Sequence, residues 1–255
     1  MARPLVYVCF GMPKSGSTLA CNLTRVVARR AGYEQTPPLD PASGQRFESF
    51  VGDFATYEFD ALIRTMARER RTHLVLKTHA DPGPAVVAAI RGGLAQAQAT
   101  CRDPRDIALS MRDAGQREEA WGRLSGGRHV EDPEEVRRRI RRHIARFRRW
   151  AALPGTLCLH YERTAFDTAW TARRIAEHLE VPARPNRDAF MAKRGAGQFN
   201  IGRSRRHERE MSEAQISEWY QAFRPFIDEY CSDRPRSTWS ARLTTRLARL
   251  LAGRG

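Results

Sequence analysis

The chain has 255 residues, 41% hydrophobic and 29% charged, enough apolar side chain for one α/β core and too much for a disordered polymer. Lysine and arginine total 44 against 29 acidic residues, and a net charge of +15 draws anions: nucleotides, sulfated or phosphorylated molecules, nucleic acid or acidic lipid. No apolar run reaches the roughly 18 residues of a membrane span, and residues 5–10 are too short for a secretory signal, so the expected location is cytoplasmic.

Residues 5–10 are the first of four predicted strands; 73–77, 97–102 and 156–161 are the others, each apolar or β-branched and each ending in a turn or a helix start. Helices are predicted over 17–31 and 53–71, briefly after 81–83, and over 104–112, 134–150 and 165–179. Pro104 suits a first helical turn behind Asp103 as N-cap, and Asp81 reads as a cap more readily than as a partner of His79. Such alternation predicts an α/β fold, a parallel β-sheet flanked by helices in three layers. Sheets of this kind bind ligands at the carboxyl ends of their strands. Residues 36–50 and 115–132 read as loops, either covering a pocket or serving as plain connections, and their composition does not decide between the two. Residues 137–149 hold eight arginines, with Ile140, Ile144 and Phe147 as the apolar face; a solvated helix is favoured over an anion-binding surface.

One domain is expected over 1–234, followed by a basic amphipathic tail, 235–255, with Leu243, Leu247, Leu250 and Leu251 on one face. Docking on the domain or fraying is the favoured reading of that tail; partner pairing and contact with an acidic bilayer are the alternatives. Five cysteines without CxxC spacing support neither disulfides nor zinc, and Cys9, Cys101 and Cys158, in strand-like runs, read as buried thiols. Beside 41 arginines there are three lysines, and two of them, Lys14 and Lys77, fall in the motifs that follow.

The strongest local signal is Gly11-Met12-Pro13-Lys14-Ser15-Gly16-Ser17-Thr18, where a strand turns through two glycines into a helix. Glycine lets backbone wrap an anion, the helix start offers unpaired N–H groups, and Lys14, Ser15, Ser17 and Thr18 add side-chain donors. Lys14 stands before Gly16, unlike the nucleoside-triphosphatase order GxxxxGK[ST]. The order PKSGST resembles the 5′-phosphosulfate loop of the sulfotransferases that use 3′-phosphoadenosine 5′-phosphosulfate (PAPS).

Two further matches follow in that family's order. Lys77-Thr78-His79 ends the second predicted strand, where a histidine points toward the ligand crevice with a pKa suited to proton removal. It resembles the segment that supplies the family's lysine and catalytic histidine. Arg102-Asp103-Pro104-Arg105-Asp106-Ile107-Ala108-Leu109-Ser110 ends the third; Arg102 can fork onto a phosphate and Ser110 can donate two turns into the helix. It resembles the family's 3′-phosphate motif. Leu159-His160-Tyr161-Glu162 is a weaker match to the strand-end segment whose tyrosine lies near the nucleotide.

The C-terminal part departs from the pattern. Where the cytosolic branch has Arg-Lys-Gly, this chain has Asn200-Ile201-Gly202; Gly202 is kept, and Arg203, Arg205 or Arg206 are the candidate replacements for the lost cations. Leu19 stands where that branch has a tryptophan, so adenine stacking must come from elsewhere.

The resemblance implies a P-loop-containing, sulfotransferase-like three-layer sandwich. It implies PAPS as co-substrate, adenosine 3′,5′-bisphosphate (PAP) as product and no metal. Implied catalytic residues are His79 as base with Lys14 and Lys77; implied nucleotide contacts are Lys14, Ser15, Gly16, Ser17, Thr18, Arg102, Ser110, Tyr161, Gly202 and Arg203. The acceptor would be a small molecule or carbohydrate offering a hydroxyl or an amine. Two alternatives stay open. An ATP-dependent P-loop kinase fits the loop but leaves Arg102 and Ser110 unused. A nucleic-acid-binding protein fits the charge but lacks helix-turn-helix, zinc or aromatic RNA-binding signatures.

Overall fold

The computed structural model describes residues 4–120, 132–194 and 203–231, without the side chains of 116–120, 193 and 194. Five strands, β1 (Val6–Gly11), β2 (Phe50–Val51), β3 (Leu74–Thr78), β4 (Ala95–Cys101) and β5 (Leu157–His160), pair in the order β2-β3-β1-β4-β5. Every pairing is parallel, with Phe10 level with Thr78 and Ala99, and Cys101 level with His160. The carboxyl ends of the four predicted strands therefore meet along one edge. Each forms within two residues of its predicted span.

Period-two alternation divides the core. Val6, Val8 and Phe10 of the fully buried β1 face one apolar cluster; Tyr7 and Cys9 face the other. The first cluster is completed by α2 (Phe59–Arg68), α3 (Pro84–Arg91), α4 (Pro104–Ala120), α5 (Pro133–Ala151) and α10 (Glu213–Phe226). The second is filled by α1 (Ser17–Arg30), α7 (Thr168–His178) and α8 (Pro185–Arg194). Two short helices, α6 (Tyr161–Phe166) and α9 (His207–Glu210), and a π-helical turn over Ile227–Cys231 after α10 complete the set among the described residues.

Several expectations are corrected. The predicted helix over 53–71 is helical only over Phe59–Arg68, because the Asp53 carboxylate accepts from Ala55 N–H at 2.9 Å and turns the chain first. The predicted helix over 165–179 is two helices: Asp167 ends α6 and caps α7, accepting from Trp170 N–H at 3.2 Å. Residues 115–120, read as loop, continue α4, and Asp132 at the far end caps α5 by accepting from Glu134 N–H at 3.0 Å. Phe50, read as loop, opens β2. Cys158, read as buried, is exposed on the edge strand β5; none of the five cysteines forms a disulfide.

The arginine-rich helix α5 sits on the sheet through Ile140, Ile144, Phe147 and Trp150, the apolar stripe read from spacing. Trp150 stacks on Phe10 with ring centroids 5.7 Å apart and donates Nε1–H to the Ala80 carbonyl at 2.9 Å, which fixes α5 beside the end of β3. No helix among the described residues is long and apolar enough to cross a membrane. The tail 235–255, residues 121–131 and Gly202 lie outside the described residues.

Candidate active site

The loop after β1 is shaped by two residues in the left-handed region, Lys14 at φ 66° and Gly16 at φ 76°. A side chain at Gly16 would meet the Tyr161 ring, and one at Gly11 would sit 2.3 Å from Ser17 Cβ, so both positions need glycine for space. The Met12 amide still pairs with the Thr100 carbonyl at 3.0 Å, which anchors the loop to β4. Beyond Gly16, α1 begins with no side-chain cap, so its first-turn N–H groups face the mouth of the loop.

Ser15 is corrected as a side-chain donor to a ligand. Its hydroxyl is fully buried and donates inward to the Met12 carbonyl at 2.6 Å and toward Thr100 at 3.2 Å, so it braces the loop. Lys14 is exposed at the loop's tip, Ser17 is buried at the first turn, and Thr18 is reached by Lys77 from β3, with Nζ donating to Thr18 Oγ1 at 2.8 Å. Burial holds the Lys77 ammonium below its usual pKa, and the nearby Arg25 guanidinium acts in the same direction.

His79, one residue past β3, hydrogen-bonds through Nδ1 to the Gly11 carbonyl at 2.6 Å. A carbonyl only accepts, so Nδ1 carries the proton and Nε2 keeps a free lone pair in the neutral ring. Burial pushes the His79 pKa below its usual 6.5, against the Gly11 bond, and Lys77 and Arg146 lower it further. Phe50 stands edge-on to this ring at 5.8 Å. Asp81 neither caps α3 nor touches His79. The cap position belongs to Gly83, and Asp81 pairs with Arg146 at 3.3 Å and with Arg149.

Arg102 leaves β4 buried to 4% exposure, its guanidinium 3.8 Å above the centre of the Tyr161 ring. Its hydrogen bonds are long: 3.3 Å to the Lys14 carbonyl, 3.4 Å to the Arg203 carbonyl and 3.5 Å to Asp106. Its Nε has no hydrogen-bond partner among the described residues. A buried guanidinium satisfied this poorly favours an incoming anion. Ser110 is buried two turns along α4, on the face that carries Asp106. The Arg203 side chain is exposed beside this group, whereas Arg206 is committed to Asp113 and Glu210, both at 2.6 Å, and Arg205 to Glu208 at 3.4 Å. Of the three candidate replacements, Arg203 meets Arg102 through its backbone carbonyl, and the Arg206 charge is felt at Tyr161. Leu19 is buried in α1, packed with the second core cluster, and offers no stacking surface.

No family model and no curated protein sequence matches the chain. Solved structures do share its architecture. Retinol dehydratase in complex with androsterone and the inactive cofactor PAP aligns with a TM-score of 0.52 at 14% identity, over 92% of this chain and 84% of that one. Mouse sulfotransferase SULT7A1 complexed with PAP aligns at 0.55 and 12% identity, over 89% of this chain and 86% of that one. The chain has the sulfotransferase fold.

On this sulfotransferase fold, sequence reasoning missed three contributors. The Gly11 carbonyl is backbone and leaves no side-chain signal. His207 donates its backbone N–H and presents Nδ1 to Asp106 at 3.0 and 2.8 Å, holding the carboxylate that faces Arg102; nothing in the local pattern around 207 marks it. His143, on α5, lies close enough to His79 for the two to affect each other's charge. Among the described residues no group of three or more histidine, cysteine or acidic side chains is arranged to hold a metal ion.

Glu162 yields a prediction on stability. Burial raises its pKa to about 7, opposed by Arg102, so the folded chain keeps a proton there that the unfolded chain releases near 4.5. The folded state binds the proton more tightly, so stability falls as pH rises from 4.5 through 7. Glu162→Gln, neutral at every pH, is expected to raise the melting temperature at pH 8, with the gain vanishing near pH 5. A melting difference independent of pH would remove this assignment.

Proposed function

We propose that the chain is a sulfotransferase carrying a sulfuryl group from PAPS to a hydroxyl or amine of a small-molecule acceptor, with His79 as general base. One observation supports this above the rest. The carbonyls of Gly11 and Lys14, both in the phosphate loop, accept from His79 and Arg102 at 2.6 and 3.3 Å. A base, a phosphate loop and a second buried cation thus share one edge of the sheet. Two cationic places on one edge suit a nucleotide anionic at both its 5′ and 3′ positions, whereas ATP would leave Arg102 idle. The glycines at 11 and 16 let the loop close against Ser17, Thr100 and Tyr161, and the Arg102 Nε, without a partner among the described residues, suits the 3′ group.

Bound PAPS supplies a sulfuryl group on a phosphate leaving group. Around it, His79 Nε2 takes the acceptor's proton as the acceptor oxygen or nitrogen bonds to sulfur and the bond from sulfur to the phosphate oxygen breaks. Lys14, Lys77 and the first turn of α1 concentrate positive charge where the leaving phosphate gains negative charge. Arg102, Ser110, Tyr161 and Arg203 hold the nucleotide's far end. Small-molecule acceptors are in keeping with the neighbours' complexes, one with androsterone and one with retinol.

Thermal shift tests the donor. PAP at about 100 times its dissociation constant is expected to stabilise by about 2.7 kcal/mol, roughly 5–10 °C for a chain of this size. AMP and ATP should do much less at equal concentration. An equal or larger shift from ATP with Mg²⁺ would favour the kinase reading instead.

A further inference from the structure

We propose that the acceptor is an acid: a hydroxyl or amine compound that also carries a carboxylate, sulfate or phosphate group, held by Arg139, Arg142 and Arg146 of α5 beside His79, with its apolar part against Phe50. The inference rests on the sulfotransferase reading and adds the acceptor's charge to it.

The carrying observation is how the arginines of α5 divide. Three of them are matched by acids: Arg137 pairs with Glu218 of α10 at 2.6 Å, Arg148 with Glu229 just after α10 at 3.6 Å, and Arg141 lies 3.8 Å from Glu134 in the first turn of α5. Elsewhere on the helix, five guanidiniums share two carboxylates. Glu135 serves Arg138, Arg139 at 2.8 Å and Arg142 at 3.6 Å; Asp81 serves Arg146 at 3.3 Å and Arg149. The surplus charge therefore lies on this part of the helix, which includes the stripe formed by Arg139, Arg142, His143 and Arg146, spaced for one face.

That stripe leads to the base. Arg146 Nη1 donates to the His79 carbonyl at 3.4 Å, and Trp150 one turn further fixes the register of α5 against Ala80. His143, in the middle of the stripe, has a buried Nδ1 with no hydrogen-bond partner among the described residues. Burial and the cations around it, Arg146 first, push its pKa down to about 4, so it stays neutral at working pH and leaves the positive charge to the guanidiniums. Arg142 is the freest of these, with its side chain 62% exposed. Phe50, 46% exposed, supplies an apolar wall on the His79 ring.

The phosphosulfate does not account for the surplus. The donor's 5′ group has Lys14, Lys77 and the α1 helix start, and α1 packs on the sheet face opposite to α5. The guanidiniums of α5 approach His79 from the other side, where an acceptor must enter for in-line attack.

The test uses the full chain saturated with PAP and three phenols that differ in one group: 4-hydroxyphenylacetate, 4-hydroxyphenylacetamide and tyramine. Binding is measured by calorimetry at low salt, where surface charge is least screened. The acid is expected to bind at least about tenfold more tightly than the amide, which a charge-assisted contact worth about 1.4 kcal/mol provides, with tyramine weakest. Arg142→Glu should abolish or reverse that order while PAP affinity stays within about threefold of the parent. The proposal is overturned if the amide matches the acid, if none of the three binds, or if Arg142→Glu leaves the order intact. Failure of PAP itself to bind would sink the donor reading instead, and the charge order is then read on the nucleotide-free chain.

Discussion

His79→Asn is expected to lower kcat by roughly 10²- to 10⁴-fold, the usual span for loss of a general base, while PAP affinity changes little. Asparagine is the informative replacement. Its amide can still donate to the Gly11 carbonyl, which His79 Nδ1 reaches at 2.6 Å, so the loop keeps its tie. Only the lone pair at the Nε2 position is removed. His79→Ala removes both, and should add a loss of nucleotide affinity to the loss of turnover. The pH dependence gives a second readout. Burial, with Lys77 and Arg146, holds the His79 pKa below 6.5, so the base form prevails at neutral pH. The kcat/KM of the parent is expected to be level from pH 7 to 8 and to fall on an acid limb below 6.5, as protons occupy Nε2. That limb should be missing from whatever activity His79→Asn retains. Near-full turnover in the variant would end the assignment of His79 as base.

A single methyl group at Gly11 is expected to do comparable damage by a different route. A Cβ there would lie 2.3 Å from Ser17 Cβ and 2.6 Å from Thr100 Oγ1, distances no packed atoms tolerate. Neither neighbour can yield cheaply: Ser17 opens α1, and the Thr100 hydroxyl donates to the Phe10 carbonyl at 3.1 Å. Relief must come from the backbone, by pushing α1 away from β4. Overpacking of this kind costs about 1–3 kcal/mol of stability. The functional loss should be larger, because Gly11 carries the carbonyl that orients His79 and leads into the phosphate loop. A displacement of about 1 Å can cost 10²-fold in rate. Gly11→Ala should therefore fold with a lowered melting temperature, lose PAP binding, and lose at least about 10²-fold in kcat/KM. Unchanged PAP affinity would show that the loop does not touch the nucleotide.

The two variants separate the roles along the sheet edge. His79→Asn leaves the donor site filled and the chemistry idle; Gly11→Ala empties the donor site. With acceptor charge preference as a third, independent readout on α5, the donor site, the base and the acceptor wall can each fail alone.

The sequence by itself determined the parts whose causes are local. Apolar runs of five or six residues marked four of five strands, turn chemistry marked the loop at 11–18, and their alternation with helices set the parallel sheet. In a parallel sheet all strands end on one edge, so motifs after the first, second and third predicted strands had to meet there. That is why Lys14, Lys77, His79, Arg102 and Tyr161, the candidates read from sequence, lie together along that edge. β2 was not legible, because Phe50 and Val51 are two residues in a proline- and glycine-rich stretch and pair only once β3 is present. Tertiary structure alone decided which way side chains of the right type would turn. Ser15 faces inward because Met12 and Thr100 offer carbonyls there; Asp81 goes to α5 because Trp150 brings two arginines to it. The proton position on His79 is set by a residue 68 positions away, and the setting of Arg102 by residues 88 and 101 away. The pattern around any one residue records what its neighbours three or four positions off require. It holds no record of which hydrogen bond a folded crossover will bring within 3 Å, and on those bonds the site's chemistry depends.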